Sequence, residues 1–240
     1  MDLPRIERRS LVLLGATAGL ALLASGCGER GEARSAGDAK HDDANEEEVS
    51  PAEDLMREHG VLNRLLLVYE EGDRRLAAPR ANEAILVIAS AAGIIKRFIE
   101  DYHEKLEEDF LFPRFEKAGK HVALVTTLRK QHQAGRSVTE RITRLATAQT
   151  SENAEAKKDL SGAMRAFVRM YRPHESREDT VLFPSLPQVV GHKELGELGE
   201  RFEEKEHALF GKEGFEGIVA QVAKLEEQLG IHELDAFTPT

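Results

Sequence analysis

Two stretches of this 240-residue chain are copies of one another, and each carries a histidine and a glutamate four residues apart. The first runs His103-Glu104-Lys105-Leu106-Glu107-Glu108-Asp109-Phe110-Leu111-Phe112-Pro113. The second runs His174-Glu175-Ser176-Arg177-Glu178-Asp179-Thr180-Val181-Leu182-Phe183-Pro184. Both read H-E-x-x-E, then an acid, two further residues and L-F-P. Residues four apart share a helix face, so each copy aims one imidazole and one carboxylate in the same direction. Two such helices facing one another would make a two-metal site inside a bundle.

The flanking sequence supplies the other helices. Pro51 stands near the start of a helical pattern, a favoured place for proline, in which Leu55, His59, Leu62, Leu66 and Tyr69 recur every three or four residues. A second helix is expected from about Asn82 towards Pro113 or Ala118, with Ile95, Ile99, His103, Glu107 and Phe110 on its stripe and Gly119 at its end. A third, ending near Ala148, shows Leu124, Leu128, His132, Gly135, Val138, Ile142 and Leu145. A fourth shows Leu160, Met164, Phe167, Tyr171, His174, Glu178 and Leu182. Pro113 and Pro184 should end or bend their helices, and Pro173 should kink its own.

Four histidines and two glutamates therefore fall on inward stripes. A lone inward histidine is usually a satisfied core residue, but a buried unpaired carboxylate is costly or takes up a proton. Six such groups need a common explanation, and a shared metal site supplies one. The alternative is a metal-free helical adaptor whose histidines and glutamates hydrogen-bond one another. His59 to His103 spans 44 residues and His132 to His174 spans 42. Each half thus reads as helix, loop, helix, with one histidine on the first helix and a His-x-x-x-Glu pair on the second.

Glu58, Glu104, Glu108 and Glu175 are read as solvated. Tyr171 is read as a core residue placed to donate a hydrogen bond to a ligand bound at such a site. Tyr102 also lies near a candidate ligand. Beyond Pro187, Leu195, Leu198 and Phe202 lead one helical pattern ending near Phe210. Ile218, Val222, Leu225 and Leu229 form another, closed by Gly230, with a turn from Gly211 to Gly217. This extension is expected to cap the open end of the bundle. His207 sits at the edge of its stripe, and His121, His192 and His232 receive no role.

At the N-terminus, Arg5, Arg8 and Arg9 precede an apolar run from Leu11 to Ala24, shorter than the about 20 residues that a bilayer span needs. The pattern fits a signal peptide. Leu23-Ala24-Ser25-Gly26-Cys27 resembles a bacterial lipobox, which implies lipid modification of Cys27, although alanine replaces the usual leucine three residues before the cysteine. Arg8-Arg9-Ser10-Leu11-Val12 resembles a twin-arginine export signal, with Glu7 departing from the usual polar residue. Residues 28–50 hold no aliphatic side chain larger than Val49 and read as a disordered acidic tether in which His41 is solvated. With Cys27 the single cysteine, an intramolecular disulfide and a thiolate metal cluster are both excluded. The net charge of −10 and the absence of a long basic run speak against nucleic-acid binding.

The order His59, His103-x-x-x-Glu107, His132, His174-x-x-x-Glu178 resembles the bacterial hemerythrin-like, or HHE cation-binding, family, over roughly Pro51 to Leu186. The resemblance implies an all-α, up-down-up-down four-helix bundle holding a non-haem di-iron centre. It implies that His59 and His103 bind one iron, that His132 and His174 bind the other, and that Glu107 and Glu178 bridge them. Manganese suits the same ligands. The oxygen-carrying members carry a second ligand four residues from the third-helix histidine; here those positions are Leu128 and Arg136. Fewer ligands leave more open metal positions. The expectation is a protein that binds, and as an enzyme reduces, oxygen, nitric oxide or peroxide, using an external electron donor. Its alternative is an iron-binding or sensing module without turnover. The expected organisation is a signal peptide at 1–27, a tether at 28–50, the bundle at 51–187 and a C-terminal helical extension at 188–240. The chain would be exported and membrane-anchored through its N-terminal lipid.

Overall fold

A capping box opens the first helix. Ser50 Oγ accepts from the Glu53 N–H at 3.3 Å while the Glu53 carboxylate accepts from the Ser50 N–H at 2.8 Å, so two amide donors that a helix start leaves unmatched are satisfied reciprocally. Ser50, expected as the last tether residue, is thus part of the folded unit. The computed structural model describes residues 49–78 and 81–239, and every regular element among them is helical. The export signal, Cys27, His41 and the tether as far as residue 48 lie outside the described residues. Among the described residues no helix is long and apolar enough to cross a membrane.

Four long helices follow in order. Helix α1 is Pro51–Arg75. Helix α2 runs over residues 81–118 and alternates between α and π geometry: Ala81–Ile94 is α, Ile95–His103 is π, Glu104–Leu106 is α, Glu107–Leu111 is π and Phe112–Ala118 is α. It stops at Gly119, whose φ of 66° closes the helix at no side-chain cost. Helix α3 is Val122–Leu145, three residues shorter than its sequence pattern predicts, because a 3₁₀ turn takes over at Ala148–Glu152. Helix α4 begins after Asn153, whose side chain caps the amides of Glu155 and Ala156. It runs as α from Ala154 to Arg177 and as π from Glu178 to Leu182. Pro173 lies inside the α portion with no break in the helix.

Two of the three π segments, Glu107–Leu111 and Glu178–Leu182, have a cause in the repeat. Proline cannot donate to the carbonyl four residues back, and its ring crowds that carbonyl. Immediately before Pro113 the amide of Phe112 bonds the Glu107 carbonyl, and before Pro184 the amide of Phe183 bonds the Glu178 carbonyl. Each bond spans five residues instead of four, which widens the turn the proline must follow. Both prolines bend the geometry without ending the helical path. The widened turns start at the two candidate bridging glutamates, in keeping with the frequent placement of π turns at functional sites.

Each helix runs antiparallel to the next. Gly72 of α1 lies against Ile88 of α2, while His59, earlier in α1, meets His103, later in α2. Arg136 of α3 reaches Glu104 of α2, and His132 reaches Glu107. Gly135 meets Tyr171 across α3 and α4 as His132 meets His174. Tyr69 packs on Phe167 of α4, while His59 faces Glu178. The ring closes as an up-down-up-down bundle, the expected architecture. Its interior is mostly aliphatic and aromatic, and one polar layer holds His59, His103, Glu107, His132, His174 and Glu178.

The extension does not cap an end of the bundle. Helix α5 (His192–Phe210) and helix α6 (Gly214–Gln228) lie along the flank of α1 and α2. Arg57 pairs with Glu216, Arg64 with Glu226 and Arg97 with Gln221, while Arg75 donates to the Leu229 carbonyl. The cause is apolar. Ile218, Val222 and Leu225 form a stripe that needs a long hydrophobic partner, and Phe210 and Phe215 pack on Phe98. The expected turn from Gly211 to Gly217 is shorter, because α6 already begins at Gly214.

Candidate metal centre

Backbone spacing alone puts His103 beside Glu107 and His174 beside Glu178. The bundle then brings the four imidazoles together. His59 Nε2 lies 3.0 Å from His103 Nε2, and His132 Nε2 lies 3.2 Å from His174 Nε2. Each carboxylate reaches one imidazole of each pair. Glu107 Oε2 stands 3.8 Å from His103 Nε2 and 3.4 Å from His132 Nε2. Glu178 Oε2 stands 3.0 Å from His174 Nε2 and 3.4 Å from His59 Nε2. Two donor sets result, His59–His103–Glu107 and His132–His174–Glu178, all buried. All six residues singled out from the sequence meet in one layer.

The outer nitrogens are already committed. His59 Nδ1 is 2.7 Å from Asp179, His103 Nδ1 is 2.7 Å from Glu58, His132 Nδ1 is 3.1 Å from Glu108 and His174 Nδ1 is 3.0 Å from the Gln131 side-chain oxygen. Each acceptor fixes a proton on Nδ1 and turns Nε2 inward, the arrangement typical of metal-ligating histidine.

These contacts obey the repeat. Glu58 and Gln131 each precede the lone histidine of their half and hold the other histidine of that half. Glu108 and Asp179 each follow a candidate bridging glutamate and hold the lone histidine of the opposite half. Phe112 stacks on His132 at 5.5 Å and Phe183 on His59 at 5.4 Å, so the L-F-P phenylalanines also cross between halves. The acid and the phenylalanine of the duplicated motif are conserved between the two copies because each completes the other copy's histidine.

The positions of Glu58, Glu104, Glu108 and Glu175 predict solvated side chains, and the structure corrects this. Glu58, Glu104 and Glu175 are 2%, 1% and 3% exposed, and Glu108 is half-buried. Glu58 and Glu108 serve histidines. Glu104 accepts from Tyr171 OH at 2.6 Å and Glu175 accepts from Asn63 at 3.1 Å. A 100° offset from the inward face still points into the bundle when a neighbouring helix covers that flank. Tyr171 is thereby engaged by a protein carboxylate rather than free for a bound ligand. Asp179 and Gln131 were not singled out by periodicity, although the acid after each H-E-x-x-E was a visible signal for Asp179. A third set of potential donors, Glu104, Glu108 and His132, already has its cation: Arg136 Nη2 lies 2.7 Å from both carboxylates.

The electrostatics show what is missing from the centre. Burial pushes the Glu107 carboxyl well above its ordinary range, and the Glu178 charge adds to this. The same burial opposes charge on Glu178, but His174 and His59 outweigh it and hold that carboxyl well below its ordinary range. Burial likewise disfavours charge on His59, yet the adjacent carboxylates of Asp179 and Glu178 prevail and raise its pKa to about 10. His103 and His132 are pushed down by burial. Protons are thus divided unevenly over symmetry-related groups.

None of the four oxygens of Glu107 and Glu178 accepts a well-formed hydrogen bond, although imidazole nitrogens stand 3.0–3.8 Å away. Buried polar atoms left this way call for an absent partner. Four inward imidazole nitrogens and two buried carboxylates are, once metal displaces their protons, the donor set of a divalent or trivalent cation pair, so the residues fit metal.

Residues 50–186 match the family model described as the hemerythrin HHE cation binding domain. Two similar proteins, both uncharacterized, come from Mycobacterium bovis and Mycobacterium tuberculosis. Each is 44% identical over 237 residues, covering 98% of this chain and 92% of the relative. No solved structure matches.

Proposed function

Since the chain belongs to the hemerythrin HHE cation-binding family, we propose that its polar layer holds two iron ions and binds a small ligand such as oxygen, nitric oxide or peroxide. In this reading His59 and His103 hold one metal, His132 and His174 hold the other, and Glu107 and Glu178 bridge them. The observation that carries the proposal is the set of four buried glutamate oxygens, none with a well-formed hydrogen bond, facing four inward imidazole nitrogens. A metal pair with so few protein ligands would supply open positions for a small ligand and electrons for its reduction.

The protein's own part is to hold the donors rigidly. Glu58, Asp179, Glu108 and Gln131 fix each ring's tautomer, and Phe112 and Phe183 wall the lone histidines off from water. Reduction would draw on an external electron donor. The Arg8-Arg9 pair and Cys27 support an exported, lipid-anchored protein; Cys27→Ala is expected to release it from membranes.

The test is metal content per chain with an absorption spectrum in air, then with azide or peroxide. About two irons and near-ultraviolet bands that respond to the anion are expected. His103→Ala should lower both metal content and melting temperature. Little metal in the wild-type chain would reduce the six groups to a structural network and overturn the proposal.

A further inference from the structure

The two halves carry the same candidate ligands in different surroundings of charge. Four residues after each lone histidine, a side chain reaches the acid that follows the motif histidine of the opposite half. In one half it is Asn63, which donates to Glu175 at 3.1 Å; in the other it is Arg136, 2.7 Å from Glu104. Arg136 also lies 2.7 Å from Glu108, the outer partner of His132. The contrast recurs two residues after each motif histidine. Lys105 lies 2.5 Å from Glu108, whereas its counterpart Ser176 donates to the Arg172 carbonyl at 2.7 Å. Around His132, two acids therefore meet two cations. Around His59 and His103 the acids stand without them. Asp179, Glu58 and Glu175 are held by His59, His103 and Asn63, and among the described residues no lysine or arginine pairs with any of the three. The counterpart of Glu58 behind His174 is the neutral Gln131.

We propose that this contrast makes the two metal positions unequal in charge preference, with the His59–His103 position favouring a trivalent ion and the His132–His174 position a divalent one. The proposal rests on the two-metal reading above and adds which ion changes charge first. When an external one-electron donor gives its first electron to an oxidised iron pair, that electron settles at His132–His174, and the iron at His59–His103 stays ferric. Two effects act in the same direction. A positive charge a few ångströms away disfavours further positive charge on the ion, and a protein interior screens it far less than water does. The outer acid also sets how strongly its imidazole donates. His132 meets Glu108 with its charge offset by Arg136 and Lys105, whereas His59 meets Asp179 without such an offset. Arg136 and Lys105 keep their charge at neutral pH, so the contrast does not depend on how the buried acids titrate.

The test is an electrochemical titration of the iron-loaded chain, with the half-reduced species followed by electron paramagnetic resonance. Two resolved one-electron steps are expected, with a large half-reduced population between them. Arg136→Gln should lower the upper step, because the ion at His132–His174 loses a nearby cation, and leave the lower step in place. Asn63→Arg, made at an exposed position, should raise the lower step and leave the upper one. Each variant draws the steps together and cuts the formation constant of the half-reduced species by about tenfold, the effect of one charge acting through protein. A merely structural part for Arg136 would move both steps or neither. Asn63→Arg keeps Arg136 in place, so it decides the matter even where Arg136→Gln fails to fold. A single two-electron step in the wild-type chain, or steps that Asn63→Arg does not draw together, would overturn the proposal while leaving the two-metal reading intact. Little metal in the wild-type chain would overturn both, and metal content measured on the same samples tells the two failures apart.

Discussion

At the residue scale the two halves of the centre differ in the charge of one outer partner. Glu58 holds His103, whereas the equivalent residue in the other half, holding His174, is the neutral Gln131. A carboxylate behind an imidazole strengthens it as a ligand, and loss of such a partner typically costs about 10–100-fold in metal affinity. Glu58→Gln is therefore expected to weaken the His59–His103 position by roughly that factor, and Gln131→Glu to strengthen the other. Stepwise metal titration by calorimetry checks both, and equal stepwise affinities in all three proteins would refute the inequivalence. A second residue-scale effect is steric. A Cβ built on Gly135 runs into the Tyr171 hydroxyl, while one on Gly162 meets nothing. Gly135→Ala should displace Tyr171 from Glu104 and destabilise by about 1–3 kcal/mol, as overpacked cores do. Gly162→Ala should stabilise by about 0.4–1 kcal/mol. Denaturant midpoints measure the difference. The six candidate ligands were legible as inward polar groups because a polar residue on an apolar stripe stands out in any helix. Gln131 and Glu58 were not, because each is a polar residue among polar neighbours. Only the crossing of the bundle reveals what they touch.

At the element scale the sequence pattern placed all four helices, and their ends moved by a few residues where local hydrogen bonds took over. Ser50 is the clearest case. Composition assigns it to the acidic tether, yet its hydroxyl and the Glu53 carboxylate start α1. Ser50→Ala is expected to cost about 1 kcal/mol through the lost cap, measured as a lower urea midpoint with unchanged slope. His59 lies more than two turns inside α1, beyond the reach of end fraying, so metal content should not change. The π turns were legible only in part. Proline at the end of each repeat forecast a bend, but periodicity of 3.6 cannot show that the bend takes the form of a five-residue hydrogen bond. Nor could it show that Phe112 and Phe183 would be carried onto the opposite half's histidines.

At the scale of the whole molecule, the repeat made the bundle readable, since a duplicated unit that buries a histidine and a glutamate has few ways to satisfy them except against its own copy. The extension was readable as helices but not in its position, although α1 held a signal. Val61, Leu65 and Val68 form a second apolar stripe beside the inward one, and all three are buried. A bundle helix with two apolar flanks needs a further cover, and α6 sits along that side, tied by Arg64 to Glu226. Val222 is fully buried in α6, so Val222→Asp places a carboxylate where nothing pairs with it and should free α6 from the flank. None of the six proposed ligands and none of their four outer partners belongs to the extension. The expected outcome is a lower melting temperature and readier proteolysis after Gln188, with metal per chain equal to that of the unaltered protein. If metal is lost in step with stability, α5 and α6 are structural parts of the centre. Their covering of Tyr102, which packs on Phe210, would then be the route by which the flank holds the polar layer in place.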